Sequence, residues 1–166
     1  QGKTKKRQKS NTEMNLSIDA YLPSTYIDDQ RQKIEIYKRI KELDSRVNYE
    51  ELQSELIDRF GEYPDAVAYL LEIGLLKSFL DQAFAKSVEK KQNQLIVTFE
   101  ATAGQFFLTQ DYFQALSATN LKARISENAG QMQVIFDVRH QKDFTILEQL
   151  MIFSEQLAAK KLEKSQ

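Results

Sequence analysis

The sequence predicts an α+β fold. An N-terminal strand and a three-helix half precede a β-β-α-β-β-α half, which forms a mainly antiparallel sheet under helices. Three observations carry this reading. Apolar residues alternate at period two between Leu16 and Leu22, apolar three- and four-residue steps fill the stretch from Ile34 to Phe84, and short β-rich runs divided by turn residues follow from Ser87 onward.

Leu16, Ile18, Ala20 and Leu22 alternate with Ser17, Asp19 and Tyr21, the pattern of a half-buried strand that Pro23 ends. Asp28 or Asp29 offers an N-cap for a first helix with Ile34, Tyr37, Ile40 and Leu43 on its apolar side. Asn48, with Glu51 three residues on, gives a capping-box pattern for a second helix carrying Leu52, Leu56 and Phe60, which Gly61 stops. Pro64 and Asp65 open a third, from about Ala66 to Phe84. It is apolar almost all round and so is expected to be central, with Gly74 permitting a close crossing. Ser87–Lys90 and Leu95–Phe99 read as strands around Gln92-Asn93, followed by a helix within Phe106–Ala118. A second hairpin, Leu121–Ser126 and Met132–Val138, closes on Asn128-Ala129-Gly130, and a last helix runs over Phe144–Leu162.

Composition excludes much chemistry. The 166 residues suffice for one domain or two small ones, and 42% hydrophobic content with 5 Gly and 2 Pro fits a packed core. With no Cys and one His, His140, zinc ribbons, iron–sulfur clusters, thiol nucleophiles and multi-histidine metal sites are out. No apolar stretch approaches the ~20 residues of a membrane helix. The cytoplasm is therefore the expected location and a membrane is not an expected partner. The first residue is not Met, as expected of a piece of a longer chain. Residues 1–10 hold Lys3, Lys5, Lys6, Arg7 and Lys9 without an acid, so the remainder is acidic. The basic run reads as a solvated linker that touches nucleic acid only as an arm.

Catalytic motifs are absent. Gly2-Lys3-Thr4 lacks the earlier glycine, the preceding strand and the following helix of a phosphate-binding loop, and no G-x-S-x-G elbow occurs. His140, near Asp137 and Asp143 in sequence, reads as an exposed turn histidine rather than a general base. Phe106, Phe107, Tyr112 and Phe113 read mostly as core rather than as a stacking platform. One constellation stands out. Glu51, Glu55, Asp58 and Glu62 recur at steps of four, three and four along one helix face, with Arg59 beside them. A solvated face, a surface for a cationic partner and a catalytic carboxylate pair all remain open readings of that stripe.

The run Leu16-Ser17-Ile18-Asp19-Ala20-Tyr21-Leu22-Pro23, then Tyr26-Ile27, then Ile36-Tyr37-Lys38-Arg39-Ile40, and Glu55-Leu56-Ile57-Asp58-Arg59-Phe60-Gly61 with Pro64, resembles the C-terminal domain of bacterial transcription-repair coupling factors (Mfd). Residues 13 to about 84 carry these words, while the later half agrees in length and element order. The resemblance implies a regulatory, protein-interaction domain without catalysis of its own, in a bacterial DNA translocase that removes stalled RNA polymerase and recruits UvrA. It implies no cofactor on this domain, since ATP and Mg would belong to upstream motor domains. It further implies docking on the UvrB-like module of the same protein, masking of the UvrA-binding surface and restraint of the motor. Residues 1–12 would be a flexible linker and 13–166 the domain, with a helical half 13–85 and a sheet-containing half 86–166. The masked surface is expected from the family to be arginine-rich, so Glu55 and Asp58, flanked by Glu51 and Glu62 with Arg59 alongside, become the docking candidates. RNA polymerase, UvrA and DNA would be reached indirectly through the parent. The alternative is a nucleic-acid-binding accessory module whose basic face uses Lys86, Lys90, Lys91, Lys122 and Arg124.

Overall fold

The computed structural model describes residues 9–164. The chain forms two compact units, Ile18–Ser78 and the segments before and after it, so the first strand belongs with the sheet and not with the helices.

In the helical unit, α1 spans Gln30–Lys41 and is capped by Asp29, whose Oδ2 accepts the Gln32 N–H at 3.0 Å. Its buried face is Ile36 and Ile40, with Leu43 just beyond its end, whereas Ile34, expected on that face, is 67% exposed. Helix α2, Arg46–Phe60, begins earlier than the Asn48 pattern predicts. Ser45 is the cap and Asn48 is the third helical residue, each side chain bonding the other's backbone N–H at 3.2 Å. Asn reaches back as Glu or Gln would, so the box closes one turn before the expected place. Gly61 ends the helix at φ +86, a backbone region that disfavours other residues, and its N–H donates to Ile57 O at 2.9 Å. Tyr26 secures this end, its hydroxyl lying 2.7 Å from Gly61 O and 3.2 Å from Leu56 O.

Helix α3 spans Asp65–Gln82, its residues to Ser78 belonging to the helical unit. From Val67 onward none of its residues is exposed, in keeping with its continuous apolar sequence. Gly74 makes the expected close approach: a Cβ there would lie 2.6 Å from Ile40 Cγ2 and 3.1 Å from Ile40 O.

The sheet unit holds β1 (Glu13–Asn15), β2 (Ala85–Lys91), β3 (Gln94–Phe99), β4 (Ala123–Asn128) and β5 (Gln131–Asp137), in the order β1-β2-β3-β5-β4. β1 pairs in parallel with β2 and the other pairs are antiparallel. The first strand thus lies before the alternating segment that predicts it. Leu16 and Leu22 are buried as the alternation requires, but Ser17 at φ 58 breaks the extended backbone after Asn15. Alternation reported sidedness, not ladder pairing.

Residues 10–12, assigned to the linker from sequence, are fixed. Thr12 donates its N–H to Asp81 Oδ1 at 2.7 Å and its hydroxyl to Ala85 O at 3.0 Å, while Ser10 bonds Asp81 O and Ala85 O. Of the rest of the predicted linker, residues 1–8 lie outside the described residues and Lys9 is exposed.

Helices α4 (Thr109–Ser117) and α5 (Asp143–Lys164) cover one sheet face through an aromatic cluster. Phe99 meets Tyr112 at 5.0 Å and Phe153 at 6.4 Å, and Phe153 meets Phe136 at 5.4 Å. Phe107 and Tyr112 are core, and Phe106 stacks on Phe84 at 5.0 Å, but Phe113 is 56% exposed. Asp111 anchors both helices. Buried, it accepts the Leu108 N–H at 2.8 Å and pairs with Lys164 and, at 3.9 Å, Lys160. No described helix is long and apolar enough to cross a membrane.

Candidate docking surface

α1 and α2 pack so that polar residues far apart in sequence meet on the exposed side of the helical unit. Glu55 is the hub. Its Oε1 accepts from Arg39 Nη1 at 2.6 Å and its Oε2 from Arg59 Nη1 at 2.8 Å. The Arg59 guanidinium continues to Glu35 at 3.3 and 3.5 Å and lies over the Phe60 ring, 4.9 Å from its centroid. The result is an alternating chain of charges, Arg39, Glu55, Arg59, Glu35, whose side chains are a third to a half exposed. The hydrogen bonds from Arg39 and Arg59 hold the Glu55 carboxyl below the usual carboxylate range, and Glu55 and Glu35 hold Arg59 above the usual value.

The five sequence candidates therefore divide. Glu55 and Arg59 are braced by one another and by α1. Glu51 and Asp58 stand exposed on α2 and form no ion pair among the described residues. Glu62 does not share the helix face as expected, because α2 ends at Phe60 and the positive φ of Gly61 turns the chain away before it. Beside Asp58, Ile57 is 47% exposed, which gives the carboxylates an aliphatic neighbour. A shallow groove bounded by Arg39, Glu42, Asn48 and Glu51 adjoins the network.

Arg39 and Glu35 escaped the sequence reading. The pairing of Glu55 with Arg59 was legible as an i,i+4 step, but Arg39 lies 16 residues from Glu55 and meets it only through helix packing. The helical unit carries eight basic and thirteen acidic residues, so the surface sits in a negative field. His140 is exposed on a turn at φ 64. No group of His, Cys, Asp or Glu among the described residues is arranged to hold a metal.

Fold and surface together define a small mixed-sheet α+β domain with an open, charge-alternating helix pair. The TRCF domain family matches residues 16–110, more than half of the chain, and the chain belongs to that family, the C-terminal domains of transcription-repair coupling factors. The transcription-repair-coupling factor of Bacillus subtilis (strain 168) is 38% identical over 104 residues, covering 61% of this chain and 9% of that protein. The one from Staphylococcus haemolyticus (strain JCSC1435) is 30% identical over 122 residues, 74% of this chain and 10% of that protein. A crystal structure of the C-terminal domain of a transcription-repair coupling factor superposes with a TM-score of 0.92 at 62% identity, covering 95% of this chain and 98% of the other. The chain spans about a tenth of the length of these curated relatives.

Proposed function

We propose that this domain is a non-catalytic regulatory module of a bacterial DNA translocase that couples transcription to nucleotide excision repair. It docks on the UvrB-like module of its own parent protein, masks the surface that UvrA binds and restrains the motor. ATP, Mg and RNA polymerase are handled elsewhere in the parent. The observation that carries this reading is the surface of α2: exposed Asp58 and Glu51 beside exposed Ile57, on a rigid base made by Glu55 between Arg39 and Arg59. Exposed carboxylates in an acidic unit suit an arginine-rich partner, because opposite charge steers the encounter and fixes its register.

Within this reading Asp58 and Glu51 make the contact, and Glu55 with Arg39 and Arg59 braces the helix pair that carries them. Removing the domain from the parent removes a ligand of the closed state only, so basal ATP hydrolysis and UvrA binding should both rise. The test is deletion from about residue 13 onward in the parent. Unchanged basal ATPase together with unchanged UvrA affinity would refute the restraint.

A further inference from the structure

We propose that the turn end of the sheet is a binding site for a single nucleic-acid strand, whose phosphates are held by Lys122, Arg124 and Arg139. Open hollows meet there. One, of about 290 Å³, is lined by Asn93, Gln94, the three cations, Ile135 and Asp137. The other, of about 660 Å³, shares Asn93, Gln94 and Arg139 with it and extends to Lys91.

The register explains why these residues converge. Arg124 pairs with Ile135, which pairs with Ile96, so all three share the face opposite the aromatic cluster. Lys122, two residues before Arg124, falls on that same face. The backbone holding them is pinned: Asp137 N–H donates to Lys122 O at 2.8 Å, and Val138 N–H to Asn93 O at 2.9 Å. Of the five basic residues named from sequence, Lys91, Lys122 and Arg124 thus come together and Arg139 joins them. Lys90 pairs with Leu95 and faces the opposite way, and Lys86 borders neither hollow.

Charge favours an anion. Lys122, Arg124 and Arg139 are exposed and form no ion pair among the described residues. Elsewhere in this unit Lys160 and Lys164 pair with Asp111, Lys161 lies over the Phe84 ring, and Lys91, at the edge of the second hollow, reaches Glu89 at 3.9 Å, so of the cations bordering the hollows the three phosphate-holding ones are those left without a carboxylate. Asp137 is the one carboxylate lining the hollows, and its Oδ1 already accepts the Arg139 N–H at 3.0 Å.

Shape favours a nucleic-acid strand over an acidic peptide. Buried Ile135 floors the hollow, Arg124 and Arg139 beside it carry guanidinium groups on which a base can stack, and the Asn93 and Gln94 amides offer donors and acceptors to its edge. From β2 to β4 the trough crosses three strand spacings, about 14 Å, enough for more than one phosphate.

The test is fluorescence anisotropy of a labelled oligothymidylate of about 12 nucleotides against the full chain, over a salt series. Each lost phosphate contact lowers the slope of log K against log salt by about 0.7, so R124Q/R139Q should lower it by about 1.4 and weaken binding about tenfold or more at low salt. K86Q/K90Q removes equal charge outside the hollows and should leave binding within about twofold. In the unaltered chain, NMR titration should shift the Asn93, Gln94 and Arg139 amides. The proposal is overturned by absence of binding at low salt, or by equal loss in the two double variants. It is also overturned if loss occurs only in K3Q/K5Q/K6Q, which places the contact in the N-terminal run, or if polyglutamate competes at equal charge concentration, which assigns the site to acidic peptides.

Discussion

Replacing Glu55 by Ala tests whether this carboxylate is a brace or a contact. In the structure Glu55 accepts from Arg39 at 2.6 Å and Arg59 at 2.8 Å, with its side chain 35% exposed. Ion pairs of such exposure contribute ~0.2–1 kcal/mol each, so two give about 0.4–2 kcal/mol, from which the better helix propensity of Ala recovers a few tenths. The net loss is about 1 kcal/mol, which for a chain of this size lowers Tm by roughly 2–4 °C. Asp58→Ala breaks no pair and replaces a poorer helix former, so its Tm should equal or slightly exceed that of the parent sequence. Thermal unfolding followed by far-UV circular dichroism at low salt reads both variants. Near 1 M salt the Glu55 effect should shrink, because exposed pairs are screened. Equal stability of the two variants at low salt, or a larger loss from Asp58→Ala, would refute the division into brace and contact.

Three further outcomes follow from the packing. Gly74→Ala should lower stability by about 1–2 kcal/mol despite the better propensity of Ala, since its Cβ would sit 2.6 Å from Ile40 Cγ2; urea titration reads it. Asp81→Ala removes the buried acceptor of the Thr12 N–H and should cost about 1–3 kcal/mol, with hydrogen exchange accelerated first at Thr12. Burial acts to raise the Asp111 carboxyl, but Lys164, the Leu108 N–H and Lys160 together hold it below its usual value. A depressed folded pKa contributes stability that is present above the unfolded value, about 4, and is lost as pH falls through the folded one. Asp111→Asn should therefore be less stable at pH 7 and have a shallower acid limb below about pH 4, measured as urea midpoints across pH.

What the sequence revealed depended on range. Periodicity found the five α-helices and both hairpins of the described residues because their signals are local, down to the Asp29 cap and the Gly61 stop. The second cap was displaced because Asn48 fits two roles, cap and third helical residue, and only the backbone decides between them. The first strand was displaced because Leu16 and Leu22 are buried without a sheet partner, while Glu13–Asn15 pair with β2 some seventy residues on. Strand pairing of that range leaves no periodic trace. The acidic stripe was legible as far as Asp58; Glu62 fell off it at Gly61, and Arg39 entered from another helix. The same limit separated Lys90 from Lys91, adjacent in sequence but on opposite faces.

Docking is measured most directly as association of this chain in trans with the UvrB-like module of the same parent protein, by isothermal titration at moderate salt. Binding should be saturable, and Asp58→Ala should weaken it about tenfold or more at unchanged Tm, because close interfacial charge pairs couple by roughly 1.5–7 kcal/mol. Absence of binding, or binding that Asp58→Ala and Glu51→Ala both leave untouched, would contradict the proposed docking.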